Sequence, residues 1–181
     1  MKTLFNSENK WGLIAKLLHW VVAIVVIAMF VMGLWMEDLN YDHIWYHKAP
    51  FIHKSVGILL FFVIIFRIIW RLINKTPKPP ATHSKAEKIL AKLMHFGIYV
   101  ILLSVIVAGY MMSTSRGHSV SVFDWFEIPA LFTPFEDQGK IAGALHYYIA
   151  ILLISMVVLH ALAAIKHHFI NKDDTLKRMI K

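Results

Sequence analysis

Residues 141–165 read IAGALHYYIAILLISMVVLHALAAI. The run contains no Asp, Glu, Lys or Arg, and it exceeds the roughly 20 apolar residues that carry a helix across a bilayer core. It decides the solvent for the rest of the chain. Its two histidines, His146 and His160, are 14 positions apart. At 100° per residue, 14 steps close nearly four turns, so both imidazoles leave one face of the helix. At 1.5 Å per residue they stand about 21 Å apart along its axis. That arrangement suits two stacked groups, one in each leaflet.

Three further stretches have the same character. The expected spans are Leu13 to Met36, Phe51 to Trp70, Ile89 to Met112 and Ile141 to Ile165. The fold class expected is therefore an all-α membrane protein, a four-helix bundle formed by residues 1–181 as one domain. The first span is too long for a signal-peptide core and has no convincing cleavage site after it, so it is kept as a helix. Composition agrees. The chain is 58% hydrophobic and 17% charged, where a soluble domain has about 25% charged residues. Trp11, Trp35, Trp45 and Trp70 fall near span ends, as an aromatic belt requires.

The net charge of +8 does not point to nucleic acid, because the cations sit between the spans. Lys2, Lys10 and Lys16, the connection from Arg71 to Lys92, and the tail from Lys166 to Lys181 share one side with 14 cations. The other side has four: Lys48, Lys54, Arg116 and Lys140. The excess of Lys and Arg places both termini in the cytoplasm. Thr76-Pro77-Lys78-Pro79-Pro80 stops the second helix and predicts a stiff extended connection. The long outer connection from Ser113 to Lys140 mixes Val122, Phe123, Trp125 and Phe126 with Asp124 and Glu127. It predicts a short amphipathic element, either resting on headgroups or covering a site. There is no cysteine, which excludes disulfides, iron–sulfur clusters and covalent haem attachment.

Ionisable residues within spans are costly and normally face the bundle interior. His19, His53, His95, His146 and His160 all lie there. His53 and His146 share an outer level; His19, His95 and His160 share an inner one. The 14-residue interval recurs on every helix. From His53 it reaches Arg67, and from His19 and His95 it reaches Gly33 and Gly109. Gly33, Gly109 and Gly57 leave room for a flat macrocycle against the backbone, although small residues also let transmembrane helices pack closely.

Imidazoles facing each other across a bundle suit haem iron, and with both axial positions filled the iron passes electrons instead of binding O₂. Zinc would ask for three or four clustered ligands, often with a carboxylate, and no Asp or Glu lies inside a span. The same absence argues against a histidine-based proton or metal transporter. Arg67 and Arg71 are expected to hold propionates at the inner level, with Lys54 and Arg116 as outer candidates. Spacing alone leaves His19 and His95 both open as the inner partner of His160. His167, seven residues beyond His160, is a candidate quinone residue, since histidine can donate a hydrogen bond and move protons near neutral pH. A cationic helix end is also favourable without any such role.

The chain resembles the bacterial cytochrome b561 family of the inner membrane. The resemblance is carried by Leu18-His19-Trp20, Ile52-His53-Lys54-Ser55-Val56-Gly57, Phe66-Arg67-Ile68-Ile69-Trp70-Arg71 and His95-Phe96-Gly97. Leu145-His146, Leu159-His160 and the ending Lys166-His167-His168-Phe169 with Lys172-Asp173-Asp174-Thr175-Leu176 complete it. The fold is also similar to the cytochrome b subunits of formate dehydrogenase and nickel–iron hydrogenase. The resemblance implies two haems b, an outer one on His53 and His146 and an inner one on His19 and His160; His95, which that leaves free at the inner level, is a second quinone candidate after His167. One kind of family member oxidises superoxide at the outer face and reduces ubiquinone. The function expected is thus electron transfer from an outer-face donor to membrane ubiquinone. The alternative of the same chemistry is a haem anchor serving a separate periplasmic partner protein.

Overall fold

The computed structural model describes residues 4–80 and 82–180. Lys2 and Lys181, counted in the charge asymmetry, lie outside them. The elements are α1 (Leu13–Glu37), α2 (Lys48–Ile73), α3 (Lys85–Ser113), a hairpin of β1 (Val120–Val122) and β2 (Phe126–Ile128), α4 (Gln138–Phe169) and a short α5 (Lys177–Ile180). The four long helices each hold a stretch with mean hydropathy of at least 2.1 and are long enough to cross a membrane.

Each helix contains its expected span and runs on at one or both ends. α2 starts three residues before Phe51 and ends three after Trp70. The apolar pattern stops where lipid stops, whereas helical hydrogen bonding continues until something ends it. At α2 the stop is Asn74, extended ahead of Pro77. α3 opens on a capping box in which Ser84 accepts from the Glu87 N–H and Glu87 accepts from the Ser84 N–H, two orphan donors satisfied together.

The molecule is apolar on the outside. Leu17, Ile24 and Val31 on α1 and Leu152, Leu159 and Leu162 on α4 are exposed, as lipid-facing side chains are. The buried cluster between the long helices is small: Val22, Val26, Leu60, Ile64, Leu102, Val105 and Leu153. All of it lies within the intervals that separate the two histidine levels. Val26, Leu60, Leu102 and Leu153 each follow His19, His53, His95 and His146 by seven residues, so they form an aliphatic layer midway. α1 packs on α2, α2 on α3 and α3 closely on α4, whereas α1 and α4 meet sparsely.

The short element in the connection between α3 and α4 is made of strands. The apolar and acidic residues form a β-hairpin, with Val120 opposite Ile128 and Val122 opposite Phe126. Phe123 and Asp124 turn it with φ of 50° and 58°, the left-handed pair of a type I′ turn. That conformation is unfavourable for Phe, and α2 holds it. The Phe123 N–H donates to Ser55 Oγ at 3.0 Å, and its ring meets Phe51 edge-on at 6.1 Å. Ser55 is fully buried and donates to the Phe51 carbonyl at 2.9 Å. The hairpin is therefore tied to α2 beside His53 and covers that end of the bundle.

The opposite end carries both chain termini. Lys78 donates its N–H to the Glu8 carbonyl at 2.8 Å and accepts from Arg178 Nη1 at 2.8 Å. Trp20 Nε1 donates to the Met179 carbonyl at 2.9 Å. The N-terminal segment, the proline-rich connection and the C-terminal tail are thereby joined into one cover.

Candidate functional site

At the hairpin end, α2 and α4 present His53 and His146 to each other with ring centroids 6.1 Å apart and planes at 75°. His146 Nδ1 donates to the Val105 carbonyl at 2.8 Å. That bond places the proton on Nδ1 and leaves the Nε2 lone pair for another partner. Gly109, one turn beyond Val105, makes the contact sterically feasible: a Cβ there would meet the His146 ring at 2.9 Å. The glycine thus makes room for the imidazole itself. At Gly33 a Cβ would stand 3.7 Å from His53 Cε1, in ordinary contact. His53 Nδ1 is buried without a hydrogen-bond partner.

A cavity of about 550 Å³ opens around this pair, lined from all four helices and the hairpin by residues that include Val26, His53, Lys54, Gly109, Val120 and His146. Its size lies within the range of cofactor pockets. Lys54 reaches it and Arg116 does not.

At the terminal end, His160 has two imidazole neighbours. His19 lies at 6.2 Å with planes at 71°, and His95 at 5.1 Å with planes at 68°. Arg67 and Arg71 stand over the Tyr99 ring at 5.5 and 5.8 Å, and Arg67 Nη2 is 3.0 Å from His19 Nδ1. A metal–imidazole bond of about 2.0–2.1 Å on either side of one ion puts two facing ring centroids roughly 6 Å apart. The His53–His146 and His19–His160 pairs have that spacing, and His95–His160 is shorter. The residues present therefore fit a group that takes two opposed imidazoles, at each level.

Residues 10–181 match the family described as prokaryotic cytochrome b561. The chain belongs to this family. It is 43% identical over 175 residues to cytochrome b561 homolog 2 of Escherichia coli (strain K12), covering 97% of this chain and 93% of that one. It is 29% identical over 181 residues to the probable superoxide oxidase CybB of Yersinia pestis, with 96% and 97% covered. Cytochrome b561 homolog 1 of Escherichia coli (strain K12) is 28% identical over 180 residues, with 95% and 97% covered. Membership makes the chain a membrane cytochrome carrying haem b.

The cytochrome also has a polar cluster that sequence reading did not assemble. His167 ends α4, and its Nδ1 lies 2.8 Å from Asp173 Oδ2. His83, from the connection between α2 and α3, brings Nε2 to 3.0 Å from the same oxygen. Burial of Asp173 works to raise its carboxyl, but hydrogen bonds from Thr175, His167 and His83 outweigh it and hold the group well below the usual carboxylate range. His167 was visible through its spacing from His160. His83 is 84 positions from His167, and no local pattern connects them.

Proposed function

We propose that this cytochrome holds two haems b, one on His53 and His146 and one on His19 and His160, and carries electrons from a donor at the hairpin end to ubiquinone at the terminal end. The observation that carries this reading is the pair of facing imidazoles at each of two levels, at 6.1 and 6.2 Å. The aliphatic layer between them supports it. The distribution of Lys and Arg supports a cytoplasmic terminal end, and therefore a hairpin facing outward. A bis-imidazole haem supplies a one-electron iron couple with no open position for substrate.

The protein's own groups then have distinct tasks. The Val105 carbonyl holds His146 in the tautomer that frees Nε2. Lys54 in the cavity wall offers a cation to the outer propionates, and Arg67 with Arg71 to the inner ones. Arg67 now points at His19 Nδ1. If His19 were to hold a metal through Nε2, its neutral ring would keep the proton on Nδ1, and a guanidinium has no acceptor to offer it. Arg67 would then be free for a carboxylate. Arg67→Gln removes a positive charge that favours the added electron, so the inner midpoint potential should fall by on the order of 50–100 mV at an effective dielectric near 20. An unchanged or raised potential in a redox titration would count against the pairing.

His167 is the proposed quinone residue. Asp173 engages Nδ1 and leaves Nε2 to face a quinone and exchange protons with the cytoplasm; His95 is the second candidate. His167→Ala should keep both haems and accept electrons from the outer donor, yet reduce ubiquinone at least about tenfold more slowly, within the range lost when a positioned proton donor is removed. Normal quinone reduction at normal haem content would eliminate His167.

Superoxide is the proposed donor, supported by the likeness to a probable superoxide oxidase. The test is anaerobic stopped-flow spectroscopy of the purified protein, following haem reduction by superoxide and reoxidation by ubiquinone. If superoxide leaves the haems oxidised, the donor assignment fails. If reduced haems persist in the presence of quinone, the acceptor assignment fails and a separate partner protein is the better reading.

A further inference from the structure

His83, His167 and Asp173 converge from three places in the chain: the connection ahead of α3, the last turn of α4 and the segment beyond it. Their three ligand-type atoms all lie within 4.8 Å of one another. The side chains are 9%, 13% and 3% exposed, and the ion pairs of Asp173 among the described residues are with these two histidines. The Thr175 N–H donates to Asp173 Oδ1 at 2.8 Å and fixes the carboxylate plane, so Oδ2 faces both rings. The rings lie 4.4 Å apart at a tilt of 35°. Thr175 Oγ1, 3.2 Å from His83 Nε2, and the Asn171 amide, 3.1 Å from His167 Nδ1, make the remaining side polar.

We propose that these residues bind one divalent cation of the zinc class, through His83 Nε2, His167 Nδ1 and Asp173 Oδ2, with the fourth position taken by water. Two imidazoles and a carboxylate are a zinc donor set. Calcium and magnesium prefer oxygen alone. Tetrahedral bonds of about 2.0–2.1 Å place ligand atoms about 3.3 Å apart. The present separations of 3.0 and 2.8 Å need to open by only a few tenths of an ångström. The ordinary alternative is two N–H groups donating to one carboxylate oxygen. That accounts for the two contacts, and it forms no third-party site.

Such an ion joins the proline-rich connection to the C-terminal tail. It also occupies Nδ1 of His167, so the ring can still donate from Nε2 but can no longer take up a second proton. On the quinone reading above, on which this consequence rests, zinc slows ubiquinone reduction and leaves haem reduction by the outer donor unchanged.

The test uses the full haem-loaded chain in detergent, stripped with a chelator and titrated with zinc chloride by calorimetry. Metal retained after desalting is counted by elemental analysis. One zinc per chain is expected. His83→Gln and Asp173→Asn should each weaken binding by about tenfold or more, and His118→Gln, at the opposite end of the bundle, should not. No retained zinc, or wild-type affinity in both cluster variants, overturns the site. If Asp173→Asn lowers haem content, His83→Gln in the exposed connection decides alone. Zinc bound at one equivalent without any slowing of quinone reduction upholds the site and counts against the role of His167 at the quinone.

Discussion

His146→Ala should remove one haem of two and leave the other in place. The imidazole is held by three features at once: its position on α4, its bond to the Val105 carbonyl at 2.8 Å, and the gap at Gly109. Among the described residues, His146 is the histidine whose ring meets that of His53, so no substitute is expected. Bis-histidine ligation needs both axial groups, and His53→Ala should therefore give the same outcome. The measurement is the haem-to-protein ratio by pyridine haemochrome, with a redox titration to show which potential survives. The ratio is expected to drop by roughly half in each variant, since one of two sites loses an axial ligand. Full retention of both haems in His146→Ala would falsify the outer assignment. Retention of the inner potential in both variants is the control for folding.

His19→Ala should empty the inner site, whereas His95→Ala should keep both haems. The two rings compete for His160 at 6.2 and 5.1 Å. A group gripped between opposed imidazoles needs the longer spacing, and α1 stands off from α4 to supply it. α3 packs closely on α4, which leaves His95 near His160 but with little between them. His95→Ala should only shift the inner Soret band, through altered packing. The reverse result, an empty inner site in His95→Ala and a full one in His19→Ala, assigns the ligand to α3.

The depth of the five histidines within the spans was legible in the sequence because a helix converts spacing directly into height and azimuth. That fixed His146 and His160 on one face and brought His53 and His19 to matching levels. Spacing did not distinguish His19 from His95 beside His160, and both rings stand next to it in the structure. His19 and His95 have the same depth, and the difference between them is the distance from α4, which depends on how whole helices pack. The hairpin was missed for a local reason. Phe123 and Asp124 lack the Asn-Gly or Asp-Gly signature of a type I′ turn, and they adopt it because Ser55 and Phe51 on α2 hold them there. Asp173 was visible only as part of a basic ending. Its meeting with His83 depends on the tail folding back over the connection between α2 and α3.

Val26, Leu60, Leu102 and Leu153 form a buried aliphatic layer midway between the two levels. An electron can tunnel through such a layer, but a proton has no carrier there. Under the proposed orientation each electron therefore crosses the layer uncompensated, over roughly 21 Å of a hydrocarbon core about 30 Å thick. It moves toward the negative side and works against about 1.6 kcal/mol for every 100 mV of membrane potential. Turnover thus charges the membrane, and a fully energised membrane acts as a brake on the protein.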